Sequence, residues 1–233
     1  MGISATISSG LSVPVSSQTS QVYADERKAS AAAEVVCYET YFDGIDDRFV
    51  STNAAFKIGT FSALFQLKPS AFGPGLKNLV GMLDGGSETS GWRSWINSNG
   101  TVATRVFTSS VSNTSSALSI GTYYDVIVTY DGTELEVWLD GVSQGTATGA
   151  MVTPTYDYHF GGGSFQTTLG LNGYLKNVTY MDDKVTNPAS WDPDDPSTLT
   201  GASLICHNPK GNEENDQGIS FTKYGAPSTA LCA

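Results

Sequence analysis

Glu134 and Glu136 stand two residues apart in ELEVWL, so on a strand both carboxyls point to one face. Paired carboxylates suit glycoside hydrolysis when they flank the scissile bond, at about 5–5.5 Å for retention or about 6.5–9.5 Å for inversion. This pair directly follows the Asp131-Gly132 turn, where exposed acids are ordinary. Asp43, Asp46 and Asp47 cluster in DGIDD, and Asp182, Asp183, Asp192, Asp194 and Asp195 form a second acidic group. Such oxygens suit a hard cation. No EF-hand spacing is present, and short acids in turns equally well bind their own backbone. Calcium is therefore an open alternative at these acids, and no cofactor is expected. His159 and His207 lie far apart in the sequence, in no metal or triad motif. Cys37, Cys206 and Cys232 make an odd count that matches no zinc pattern, and the first two read as small buried hydrophobes. No nucleophile elbow, P-loop or dinucleotide fingerprint occurs.

Aromatic side chains are the other candidates. Trp92 and Trp95 are an odd number of residues apart, so a strand turns them to opposite faces, one toward the core and one outward or to a rim. Trp191 sits in a Pro/Asp-rich loop, residues 187–198. Any of Trp92, Trp95 and Trp191 could stack on a sugar ring, or could clamp a loop by packing.

The elements that would position these groups are strands. The chain has 233 residues, 25 of them Gly, and only 15% are charged. That profile suits an all-β protein with many turns. The net charge of −11 argues against a nucleic-acid backbone or an anionic membrane as partner. No apolar run reaches the length of a membrane span, and residues 1–20 lack the basic and apolar regions of a secretory signal. Synthesis in a cytoplasm, without a signal peptide, is the expectation. Residues 123–148 alternate apolar and polar side chains through two Asp-Gly turns, which predicts a three-stranded meander with Leu135, Val137 and Leu139 inward. Further strands are expected over 36–42, 60–68, 78–83, 92–97, 101–107, 156–160 and 171–180, with closing strands over 202–207 and 218–223. Residues 1–35 differ, being rich in Ser, Thr and Ala. They predict an extended arm whose Ile3, Ile7, Leu11, Val13 and Val15 form one apolar face for anchoring or oligomerisation. Residues 36–233 are expected to form one domain.

Several stretches together resemble a known family. YFDGIDDRFV at 41–50, FSALFQLKP at 61–69, the meander through 121–145, FGG at 160–162 and LNGYLKNV at 171–178 are similar, in order, to laminin-G-like, concanavalin A-like jelly rolls. The resemblance runs from about residue 36 to 207 and implies an antiparallel β-sandwich. It also implies rim loops that often bind calcium or glycans. Hydrolases on related jelly rolls carry a third acid in an E-x-D-x-E strand, and Trp138 occupies that place here, so no enzymatic activity is expected. The segment YADERKASAAAEVVCY also looks like segments of phage structural proteins. The leading expectation is a non-enzymatic virion protein of a tailed bacteriophage. It would be of the capsid decoration or head-fibre type, displaying a laminin-G-like domain with capacity to bind glycans. Its partners would be other virion proteins, further copies of itself as a symmetric trimer, and a cell-surface glycan. The alternative is the receptor- or glycan-binding tip of a phage tail, and a glycoside hydrolase ranks third.

Overall fold

The computed structural model describes residues 38–83, 90–106, 112–113, 116–162, 169–208, 210–211 and 217–231. The arm residues Ile3, Ile7, Leu11, Val13 and Val15, together with Cys37 and Cys232, lie outside the described residues. The strands are β1 (Tyr38–Asp43), β2 (Arg48–Ser51), β3 (Phe61–Pro69), β4 (Lys77–Leu83), β5 (Gly91–Ile96), β6 (Val102–Val106), β7 (Ser112–Asn113) and β8 (Tyr124–Tyr130). They continue with β9 (Glu134–Leu139), β10 (Val142–Thr148), β11 (Tyr158–Phe160), β12 (Asn172–Met181), β13 (Leu204–Asn208), β14 (Thr222–Tyr224) and β15 (Ser228–Leu231). Two antiparallel sheets form. One runs β10-β9-β8-β3-β12-β1-β15, with β13 also paired to β12; the other runs β14-β2-β11-β4-β5-β6-β7. This is the expected β-sandwich. Among the described residues no helix is long and apolar enough to cross a membrane.

The meander forms where the Asp-Gly turns demand it. Asp131 Oδ1 accepts the N–H groups of Thr133 and Glu134 at 2.9 and 2.7 Å. Asp140 and Gly141 both take positive φ, 49° and 74°, the conformation of a tight hairpin turn matched to strand twist. On β9, Leu135, Val137 and Leu139 are buried while Glu134, Glu136 and Trp138 are half-buried on the other face. Strand β8 departs from the expected alternation, because every residue from Val126 to Tyr130 is buried. Ile127 lies on the outer face but packs in a second cluster with Leu64, Met181, Val185, Trp191 and Leu199. Residues 183–203 therefore lie across part of the outer face of the larger sheet, giving it a small core of its own.

Between the sheets, the rings of Phe61 and Tyr180 from one side and Trp92 from the other lie nearly parallel, with centroids 4.3 to 6.1 Å apart. Phe56, in a short 3₁₀ turn, stacks on Tyr158 at 4.4 Å. The expected closing strand over 218–223 forms only as Thr222–Tyr224. The residues before it, Ile219 and Phe221, turn into the core instead. A further edge strand, β15, follows and pairs with β1.

Val137 is fully buried in the meander. Val137→Asp would place an unpaired charge in the sandwich, at a cost of several kcal/mol. Chemical denaturation should show a lost or strongly lowered cooperative midpoint; an unchanged midpoint would refute the placement.

Candidate functional site

The outer face of the larger sheet divides in two. At one end Ser62 Oγ donates to the Asp183 carbonyl at 2.8 Å and accepts the Val185 N–H at 3.0 Å, fastening residues 183–203 over β3. At the other end the alternation of β1, β3, β8 and β12 brings Tyr41, Gln66, Lys68, Asp125, Tyr174 and Lys176 together as half-buried side chains. Tyr123, just before β8, joins them.

Glu39 organises this cluster. It is only 3% exposed, and Lys68 Nζ donates to both its oxygens at 3.0 and 2.9 Å. The Tyr123 hydroxyl donates to the same carboxylate. Burial, reinforced by Glu39, pushes the Tyr123 phenol well above its ordinary pKa, so it stays a donor. The Lys68 ammonium lies 4.1 Å from the Tyr174 ring centroid and 4.8 Å from that of Tyr123. Lys176 approaches Tyr123 at 4.6 Å, and Tyr41 packs on Tyr174 at 5.0 Å.

A polar chain adjoins the rings. A bulge in β12 between Lys176 and Thr179 leaves Asn177 at φ 51°. Its amide donates to Gln66 Oε1 at 2.9 Å and to Asp194 Oδ1 at 3.3 Å. Gln66 in turn donates to Asp125 Oδ1 at 2.8 Å. Burial raises the Asp125 carboxyl above the usual carboxylate range, against that hydrogen bond. Three tyrosine rings beside fixed amides, carboxylates and ammonium groups offer what a hydroxylated ring recognises: a flat apolar surface edged with oriented donors and acceptors.

The tryptophans expected to contact glycan are placed elsewhere, and apart from one another. Trp92 is fully buried between the sheets, against Phe61 and Tyr180. Trp95 does face the opposite way, yet it is only 7% exposed, with its indole N–H donating to Asn97 at 2.8 Å and Arg93 over its ring at 4.7 Å. Trp191 is 9% exposed and packs on Leu64 and Ile127. So neither member of the Trp92/Trp95 pair is open, and Trp191 is a loop clamp.

The acids are placed as follows. Lys184 Nζ sits 3.4 Å from Glu134, 3.7 Å from Glu136 and 3.8 Å from Asp131, and Ser143 donates to Glu136 at 2.6 Å. Asp43, Asp46 and Asp47 come together, each offering an oxygen within 4.8 Å of the others. Two of them bind backbone: Asp47 accepts the N–H groups of Asp43 at 2.9 Å and Ala226 at 2.6 Å, and Asp43 accepts that of Ile45 at 2.8 Å. Asp192 and Asp195 likewise accept the Asp194 and Ser197 N–H groups, each at 3.0 Å, within their own loop. His207 Nδ1 pairs with Thr179 Oγ1 at 2.9 Å.

Comparisons with known proteins agree on the architecture. The family model of the concanavalin A-like lectin/glucanases superfamily matches residues 43–188. No curated protein matches the sequence. Among solved structures, the heptameric SAP-like pentraxin of Limulus polyphemus superposes with a TM-score of 0.60 at 16% identity, covering 86% of this chain and 97% of the pentraxin. A candidate carbohydrate-binding protein of Bacteroides ovatus gives 0.60 at 11% identity, covering 84% of this chain and 60% of its own. Trypanosoma rangeli sialidase gives 0.52 at 15% identity over 64% of this chain and 26% of the sialidase. At these identities the likeness is one of fold.

The Glu39–Lys68 pair also makes a stability prediction, because its side chains are 4% and 16% exposed. Lys68→Met would strand a buried carboxylate, and should cost about 3–5 kcal/mol. The denaturant midpoint should fall accordingly at neutral pH; a loss no larger than that of a surface pair would show that solvent already screens Glu39.

Proposed function

The chain belongs to the concanavalin A-like lectin/glucanase superfamily, and from that premise we propose that it is a non-enzymatic carbohydrate-binding protein. The observation that carries this reading is the tyrosine-walled polar face around Tyr41, Tyr123 and Tyr174, with its ordered Gln66–Asn177–Asp194 chain. One ring face stacks on a sugar while Lys176, Gln66 and Asp125 address its hydroxyls. Mobile, well-hydrated groups would need to be ordered on binding; here packing has already ordered them, which lowers the entropic cost. The non-enzymatic part of the proposal is supported by the surroundings of Glu134 and Glu136. Both lie within ion-pairing distance of the Lys184 ammonium, and Trp138 stands where a third acid would be.

The finer part of the proposal is the setting: display on a tailed-phage virion as a decoration or head-fibre component, as a trimer, through residues 1–35. Its support is the composition of that segment, whose Ile3, Ile7, Leu11, Val13 and Val15 can bury one face against a neighbour. Mass spectrometry of purified particles tests it directly, and absence of the chain from the particle would refute it.

Screening against a glycan array followed by calorimetry on the best ligand should give a saturable affinity that Tyr174→Ala weakens by about tenfold, the loss of one stacking contact. A ligand bound equally well by Tyr174→Ala would move the site elsewhere. Incubation with polysaccharides should release no reducing ends; turnover abolished by Glu136→Gln would overturn the non-enzymatic reading.

A further inference from the structure

The amide chain on the outer face of the larger sheet has a fixed direction. It ends on a carboxylate at each side, Asp125 and Asp194. An ionised carboxylate accepts and does not donate, so both ends force the amides one way round. Gln66 turns its NH₂ to Asp125 at 2.8 Å and its oxygen to Asn177. The Asn177 NH₂ donates to Gln66 Oε1 at 2.9 Å and to Asp194 Oδ1 at 3.3 Å. Both of its N–H groups are thereby used. Its Oδ1 has no hydrogen-bond partner among the described residues, although Asn177 as a whole is only 3% exposed. A nearly buried carboxamide held at a fixed angle, with its oxygen left over, is a preformed acceptor.

The backbone is shaped for this amide. The bulge in β12 leaves Asn177 at φ 51°, in the left-handed region, which asparagine enters more readily than most residues with a side chain. The second oxygen of Asp125 likewise has no partner among the described residues.

The charges agree with the acceptors. Lys68 is matched by Glu39. Lys176 then stands against the carboxylate of Asp125, with Asp140 close enough to Asp125 to oppose its ionisation and Asp194 at the other end of the chain. A ligand seated here meets oriented acceptors and an excess of negative charge. An ionised carboxyl or sulfate group can neither donate to these oxygens nor escape their repulsion. A hydroxyl can donate to them and accept from Gln66 in return.

Resting on the carbohydrate reading above, we propose that this face is specific for uncharged sugars: ring hydroxyls donate to Asn177 Oδ1 and to Asp125, and the carboxylates of Asp125 and Asp194 exclude acidic sugars. Asn177 and Asp125 are then specificity-determining residues, whereas Tyr174 supplies affinity for any ring.

The test applies the full chain to an array of matched oligosaccharides, glucose with glucuronic acid, galactose with galacturonic acid and mannose with mannuronic acid, followed by calorimetry on the best-bound pair. The neutral member should bind at least about tenfold more tightly than its acidic counterpart. Asp125→Asn keeps an oxygen for the Gln66 N–H but removes the charge, and should cut that neutral-to-acidic ratio about fivefold. Asn177→Gly removes the carboxamide while glycine holds the left-handed backbone without strain, and should weaken the neutral sugar about tenfold. Circular dichroism checks that both variants are folded. Equal or tighter binding of the acidic members, or a ratio untouched by Asp125→Asn, overturns the specificity but leaves the tyrosine site standing where Tyr174→Ala still weakens binding. Full affinity in folded Asn177→Gly protein overturns the role of its oxygen. If no sugar binds, or affinity is indifferent to Tyr174→Ala, the carbohydrate reading fails and this inference fails with it.

Discussion

Three parallel rings hold the two sheets at one spacing. Phe61 opens β3, Tyr180 nearly closes β12 and Trp92 reaches them from β5. Fully buried aromatics of this size bury large apolar surfaces, and close packing transmits their position through each strand they sit on. Because β3 and β12 are neighbours, the same joint fixes which of their residues face outward. On β3 this turns Gln66 and Lys68 to the solvent side; on β12 the bulge at Asn177 reverses the alternation that starts at Tyr180, so that Leu175 faces the core and Tyr174 and Lys176 meet them outside.

On the outer face of the larger sheet, residues 183–203 cover the apolar half, where Leu64 and Ile127 would otherwise be exposed, and reach the polar half at Asp194, which accepts from Asn177. The acidic loop thus acts as a wall between a dry region and a wet one. A nearly buried ion pair such as Glu39–Lys68 adds little net stability once desolvation is counted. What it supplies is order, since one carboxylate fixes an ammonium and a phenol that between them position two rings.

Much of this architecture was legible in the chain. The meander follows from alternation and two Asp-Gly turns, and Asp131 and Asp140 occupy the positions their chemistry requires. The turn acids Asp43 and Asp47 bind backbone as short acids in turns do. What was hidden is whatever depends on register across several strands. Glu39, Lys68, Tyr123 and Tyr174 are spread over 136 residues of sequence between the first and last, and no local pattern announces that they touch. Trp92 and Trp95 were rightly assigned to opposite faces, but alternation cannot say whether the outward side of a strand is covered. The closing segment misled for a related reason. Ile219 and Phe221 are apolar at strand spacing, yet they serve as plugs into the core ahead of a short edge strand.

The pairing of β1 has a consequence for biosynthesis. β1 is bonded on one side to β12 and on the other to β15, whose residues Ser228–Leu231 come near the end of the chain. Its neighbours are thus made about 130 and 190 residues after it, so a growing chain emerging from the ribosome carries β1 with both edges open until those strands follow. Contacts of such separation are slow to form, because loop closure must precede them. Until β12 and β15 are made, Phe42 has no completed sheet to lie under, and open strand edges of this kind are where a nascent domain is prone to associate.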